Sequence, residues 1–160
     1  MRFHVQMRLV LAAAVAVMAA GPMQAQVHLP PERMFCDPES HPNDAVAAAP
    51  YSHRVMFEDE HVRVLEIRLP PGASEPIHIH ALPSVIYGET GGGGGAKFVY
   101  TEYRMENGKF VEVSSNEVTP TAGTRAVWSP PEGPHSITNT GGVGVRFTRV
   151  EIKPESCAAR

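Results

Sequence analysis

The sequence predicts an all-β domain in which two sheets close into a barrel. From Tyr51 onward the chain consists of short runs rich in Val, Ile, Phe and Tyr. Gly, Pro and Asn interrupt these runs about every ten residues, a spacing typical of sandwiches and barrels. No segment has the apolar periodicity of an amphipathic helix. With 160 residues, the chain is long enough for one domain with its own core.

Nine runs along the chain have the composition and length of strands. They are residues 54–57, 62–69, 76–80, 84–87, 96–103, 109–113, 125–128, 135–139 and 144–152. The second run alternates most clearly, because Leu65, Ile67 and Leu69 share one face and Glu66 and Arg68 share the other. Such alternation is expected of a strand with one buried face.

Turn residues separate the runs at residues 70–72, 107–108 and 139–142. Asn107-Gly108 is a strong hairpin signal between the fifth and sixth runs. The glycine run at residues 91–95 lacks the Lys-Ser or Lys-Thr pair and the following helix of a phosphate-binding loop. We therefore interpret it as a hairpin loop.

Residues 1–25 are typical of an export signal. Arg2 and Arg8 precede an apolar run of twelve residues, and small residues follow with cleavage expected near Gly21 or Ala25. Twelve apolar residues fall short of the roughly 20 that span a bilayer, so we expect no stable membrane span. The predicted location is periplasmic or secreted, and the alternative is an apolar N-terminal helix.

Removal of residues 1–25 leaves 12 of the 14 basic residues against 17 acidic ones, a net charge of −5. No basic surface remains for nucleic acid or anionic lipid. We divide the remainder into an extended arm (26–52), a barrel (53–153) and a tail (154–160). Cys36 and Cys157 lie near opposite ends of the mature chain, where an oxidising compartment favours a disulfide between them. The alternative is two unrelated thiols.

Histidines form the most informative pattern. His78 and His80 are two residues apart on a predicted strand, so both imidazoles point to one face. His135 follows a Pro/Gly-rich segment and begins another run. Three neutral imidazoles can hold one divalent ion. We interpret the isolated histidines as surface or hydrogen-bonded residues; these are His28, His41, His53 and His61.

These positions resemble the two motifs of the cupin family, specifically the small RmlC-like single-domain cupins. The first motif is matched by Gly72, His78, Ile79, His80 and Gly91. The second motif is matched by Gly123, Pro131, Glu132, Gly133, His135 and Asn139. The resemblance covers residues 53–152 and implies a jelly-roll barrel, also called a double-stranded β-helix. It also implies His78, His80 and His135 as ligands of one metal.

The sequence departs from the family at the usual glutamate ligand, where Ser84 stands. The resemblance therefore implies a three-histidine site with open positions for water or substrate. Replacing a carboxylate by a neutral residue raises the net charge of a divalent site, which favours anionic ligands. Five residues are candidates to line the pocket: Ser84, Tyr87, Arg125, Trp128 and Arg149. Further strand carboxylates stay unranked as cavity residues: Glu66, Glu89, Glu102 and Glu151.

The resemblance implies one divalent ion, with Fe, Zn, Mn and Ni all open. The implied activity is that of a dioxygenase, isomerase or hydrolase acting on a small organic or anionic molecule. The alternative is a non-catalytic cupin that binds a small ligand, either metal-free or with a structural metal. A third hypothesis is a structural barrel that pairs as a homodimer through an exposed strand edge.

Overall fold

The computed structural model describes residues 33–88, 95–120 and 126–158. In this part of the chain, nine strands carry the fold. They are β1 (His53–Glu58), β2 (Val62–Leu69), β3 (His78–His80), β4 (Ser84–Gly88), β5 (Phe98–Glu106), β6 (Lys109–Val118), β7 (Ala126–Ser129), β8 (Glu132–Asn139) and β9 (Val145–Ile152). Each strand overlaps one of the nine predicted runs, so the all-β prediction is confirmed.

The strands form two antiparallel sheets. The five-stranded sheet has the order β1-β2-β9-β4-β7, and the four-stranded sheet has the order β3-β8-β5-β6. Neighbours such as β2 and β9, or β3 and β8, are far apart in sequence. This interleaving of early and late strands defines a jelly roll, as predicted.

β2 illustrates how the strands bury one face. Leu65, Ile67 and Leu69 lie inside with 0%, 6% and 4% of their surface exposed. Arg68 on the outer face is exposed. Glu66, also on the outer face, is only 4% exposed because three guanidinium groups donate to its carboxylate. A buried carboxylate is tolerated where it is paired in this way.

The predicted hairpin at Asn107-Gly108 is confirmed between β5 and β6. Asn107 has φ 49° and Gly108 has φ 76°, the left-handed backbone that a two-residue hairpin turn requires. β8 begins at Glu132, earlier than predicted, and this places Glu132 opposite His80 on β3.

The described part of the arm consists of short helical turns and not of extended chain. Its elements are α1 (Arg33–Cys36), a 3-10 turn (Pro38–Ser40) and α2 (Ala45–Ala48). The Asp44 carboxylate caps α2 by accepting the Val46 N–H at 3.0 Å. The arm is fastened by the predicted disulfide, Cys36–Cys157, with 5.2 Å between Cα atoms.

Several predictions concern residues outside the described ranges. They include the export signal, Glu89, most of the glycine run, and Arg125. The domain boundaries also stay predictions. Within the described ranges, no helix has the length and apolar character needed to cross a bilayer.

Candidate metal centre

The three predicted ligands lie together inside the barrel. His78 and His80 come from β3, and His135 faces His78 across the β3–β8 pair. Ring centroids are 5.3 Å apart for His78 and His80, 4.4 Å for His78 and His135, and 5.7 Å for His80 and His135. All three side chains are at most 2% exposed. The three imidazoles are therefore neighbours within one buried cluster.

Hydrogen bonds orient each ring with Nε2 free. His78 and His135 each use Nδ1 to contact the backbone carbonyl two residues earlier, at 2.9 and 2.8 Å. His80 Nδ1 contacts Glu151 Oε1 at 2.7 Å. A carbonyl and an ionised carboxylate only accept, so Nδ1 must carry the proton in each ring. The lone pair then resides on Nε2, as in metal-binding histidines held by an outer partner.

The interior keeps these imidazoles neutral. Burial lowers the pKa of His78 to about 2, and the neighbouring His135 and His53 add to this effect. Burial, followed by the Arg149 charge, holds the pKa of His80 well below its usual value. Burial also lowers the pKa of His135, although the Glu132 charge opposes it. Neutral imidazole is the form that binds metals.

His53 is a fourth member of the cluster, and interpreting it as an isolated histidine was wrong. It is 2% exposed, and its ring lies 4.7 Å from that of His78 and 5.3 Å from that of His80. Its Nδ1 lies 3.1 Å from the Ser52 hydroxyl. Burial lowers the pKa of His53 to about 3. Alternation back from Val55 along β1 places His53 on the inner face and was the missed signal.

Among the described residues, two sets of donors are compact enough to hold an ion, with all donor atoms of a set within 4.8 Å of one another. One consists of His53, His78 and His80, and the other of His80, Glu132 and His135, so the three predicted ligands are divided between two sets that share His80. Bonds of about 2.0–2.1 Å to zinc separate neighbouring ligand atoms by roughly 3–4 Å, so small side-chain movements suffice. The residues present therefore fit a divalent metal.

Glu132 is a carboxylate of this centre that is already engaged. Its Oε1 accepts from Ser129 Oγ at 2.8 Å and its Oε2 from Arg149 Nη1 at 2.6 Å. Burial by itself would raise the pKa of Glu132, but the Arg149 charge and these hydrogen bonds outweigh it and lower the pKa. Glu132 therefore stays ionised and neutralises Arg149.

A buried chain of charges links the arm to His80. Arg63, 0% exposed, donates Nη1 and Nη2 to the two oxygens of Asp44 at 2.9 and 2.8 Å. Its Nε donates to Glu151 Oε2 at 2.6 Å, while Glu151 Oε1 accepts from His80. Burial raises the pKa of Glu151, and the Arg63 charge opposes this shift. The order of contacts is Asp44, Arg63, Glu151 and His80.

Ser84 and Arg149, two of the predicted pocket residues, are both buried. Ser84 is 0% exposed and Arg149 is 2% exposed. Buried side-chain atoms without a hydrogen bond in the described chain belong to these two residues and to Glu75 and His78. An unsatisfied buried polar atom costs about 1–3 kcal/mol. These unpaired atoms are therefore candidates to contact a polar ligand.

Tyr87 and Trp128 do not point toward the histidine cluster, so the prediction that they line the pocket is corrected. They are 40% and 59% exposed. Tyr87 lies three residues after the inward-facing Ser84 on β4 and therefore points outward. Glu102 is likewise exposed and accepts from Ser114 Oγ at 2.6 Å. Of the described strand carboxylates left unranked, Glu151 is the one that contacts the histidine cluster.

No protein-family model and no curated protein matches the chain. Similar solved structures include a cupin domain from Bordetella pertussis, 22% identical over 64% of this chain and 92% of that one, with a TM-score of 0.45. Another is an RmlC-like cupin family protein with a double-stranded β-helix fold from Methanocaldococcus jannaschii, 14% identical over 68% and 84%, with a TM-score of 0.44. A protein from Bacillus halodurans is 20% identical over 84% and 85%, with a TM-score of 0.43.

These likenesses have TM-scores below 0.5 and identities below 25%, so they add nothing to what the strand order establishes. Fold and site together define a class: a single-chain jelly roll with a buried histidine cluster close enough to bind a metal ion.

Proposed function

We propose that this chain is an exported, small cupin-type protein that binds one divalent transition-metal ion through Nε2 of His78, His80 and His135. The observation that carries the proposal is the orientation of the rings, since each Nδ1 is bonded to an acceptor. His78 Nε2 is buried without a hydrogen-bond partner in the described chain, so its lone pair is available to a metal ion. Imidazole donors suit zinc, iron, nickel and copper.

The ligand of the open metal position is proposed to be a small anionic molecule. Arg149 supports this, because its Nε and Nη2 atoms are buried without a hydrogen bond although Nη1 is engaged by Glu132. The Ser84 hydroxyl is a second unpartnered group in the interior. A fixed guanidinium recognises carboxylates through paired hydrogen bonds. A bound divalent ion would polarise such a molecule as a Lewis acid, or support oxygen chemistry if it is iron.

Metal analysis of untagged protein tests the proposal. We expect about one equivalent of divalent metal per chain in the wild type, and less than about a tenth in His78→Ala/His80→Ala. His61→Ala is the matched control, because this side chain is 67% exposed. Circular dichroism checks that each variant is folded. If wild-type protein retains no metal after incubation with zinc, iron(II), manganese and nickel, the proposal fails.

The metal found then selects the assays for the anionic ligand. Iron directs them to oxygen uptake with small carboxylates, whereas zinc has no redox chemistry and directs them to hydrolysis and isomerisation. Export is supported by the N-terminal apolar segment and by the disulfide, which is typical of oxidising compartments.

A further inference from the structure

Glu75 lies at the edge of the histidine cluster, three residues before His78. Its backbone N–H donates to the Ile137 carbonyl at 2.9 Å, which holds the segment before β3 against β8. The side chain is 5% exposed. Glu75 is therefore fixed inside the barrel and not on a solvated loop.

The carboxylate of Glu75 faces Nε2 of His78, and neither the ionised carboxylate nor this nitrogen carries a proton. Glu75 Oε2 is 4.0 Å from His78 Nε2, and neither atom has a hydrogen bond of ordinary length and angle. Two acceptors at this separation are too far apart to share a proton directly. The distance is about twice a metal–ligand bond of 2.0–2.2 Å, so an ion between them would contact both.

Glu132 provides a comparison at the same distance from another histidine. Its Oε2 is 4.0 Å from His135 Nε2, but both of its oxygens already accept hydrogen bonds. Glu75 Oε1 lies 3.8 Å from His53 Nδ1 and close to the Ser52 hydroxyl, without a hydrogen bond of ordinary length and angle to either. Glu75 is therefore the carboxylate of the cluster whose oxygens are free to bind an ion.

The balance of charge inside the barrel agrees with this assignment. Two buried guanidinium groups, those of Arg63 and Arg149, face the four carboxylates of the interior. The four are Asp44, Glu75, Glu132 and Glu151. Among the described residues, Glu75 is the one of these four without a guanidinium partner, and an unpaired ionised carboxylate is costly in a buried site. A divalent cation would supply its counter-charge.

We propose that Glu75 supplies the carboxylate ligand that the chain lacks at Ser84, so that the metal is bound by an oxygen donor as well as by imidazoles. This inference rests on the proposed metal-binding function. An oxygen donor shifts the preference of a site toward manganese and iron(II), relative to imidazole alone. The glutamate would then precede the paired histidines and not follow them.

Cobalt(II) titration of Glu75→Gln against Glu132→Gln tests this assignment, with cobalt as a spectroscopic probe. For Glu75→Gln we expect cobalt(II) and manganese(II) affinity to fall by more than about 100-fold, beyond the 10–100-fold typical of an outer partner. The visible cobalt bands should also shift, because an oxygen ligand is lost. In Glu132→Gln the bands should keep their positions.

The stability of the metal-free variants separates a ligand from a structural residue. Glu75→Gln removes a buried carboxylate that has no ion-pair partner and no hydrogen bond of ordinary geometry, so its metal-free melting temperature should equal or exceed that of the wild type. If Glu75→Gln does not fold, the same measurements are made on a second variant, Glu75→Ala. If Glu75→Gln binds cobalt(II) within tenfold of the wild-type affinity and its visible bands are unchanged, the assignment of Glu75 is overturned, but the proposed function is not. Absence of cobalt binding in the wild type would instead overturn the proposed function.

Discussion

Glu151 is the residue through which the fold is expected to set metal affinity, and Glu151→Gln tests this role. The carboxylate is 0% exposed and uses both oxygens, accepting from His80 Nδ1 at 2.7 Å and from Arg63 Nε at 2.6 Å. Glutamine offers one acceptor oxygen and one donor NH₂ group. Whichever way the amide lies, its NH₂ group must therefore face either the His80 Nδ1–H or the Arg63 Nε–H, which are both donors.

The size of the effect follows from these two contacts. Removing one partner of a buried ion pair costs about 3–5 kcal/mol, and Arg63 keeps both bonds to Asp44, so we expect about 3 kcal/mol. A domain stable by about 5–15 kcal/mol stays folded after this loss. Disturbing the partner of a metal-binding histidine weakens metal binding about 10–100-fold, or roughly 1.4–2.7 kcal/mol.

Urea unfolding of the metal-free protein measures the first effect, and zinc competition against a chromophoric chelator measures the second. Glu66→Gln is the matched control, because Glu66 is a buried carboxylate bonded to arginines on the outer face of β2. It should lose stability and keep wild-type zinc affinity. If Glu151→Gln also binds zinc within about twofold of the wild type, Glu151 serves stability alone and the reasoning is wrong.

Three further perturbations have expected outcomes. The metal-free protein should lose stability below pH 6.5, by up to about 1.4 kcal/mol per pH unit for each buried histidine, because only the unfolded state then binds those protons. Burial raises the pKa of Glu75 to about 7, so proton uptake by the folded state at this residue offsets part of the stability loss. A urea midpoint that stays constant from pH 7 to 5 would contradict the prediction. Reducing Cys36–Cys157, separated by 121 residues, should lower the free energy of unfolding by about 4–5 kcal/mol in the same assay. Tyr87→Ser and Trp128→Ser should leave zinc affinity within about twofold, since both side chains point outward.

Much of the fold could be predicted because its signals are local. Alternation in β2 and the Asn107-Gly108 turn each depend on neighbouring residues only. The start of β8 at Glu132 could not be predicted, since Gly133 and Pro134 indicate a loop and pairing with β3 overrides that preference. Tertiary contacts decided this boundary.

The site divides in the same way. His78 and His80 were found from their spacing within one strand, but Glu75 is placed by a hydrogen bond to β8, which no local pattern encodes. Tyr87 shows the opposite case, because alternation from the inward Ser84 already predicts an outward side chain.

The arm contributes to the proposed metal centre as much as the barrel does. β3 is an edge strand of its sheet, and an edge strand that carries two ligands needs its free side held. The arm holds it: Ile79 N–H, between the two histidines, donates to the Asn43 carbonyl at 2.7 Å. Asp44 then engages Arg63, the residue that bonds the Glu151 partner of His80. Because metal sites tolerate deviations of only about 0.2 Å in ligand distance, the arm helps to define the geometry available to an ion, through the free edge of β3 and through Arg63 and Glu151.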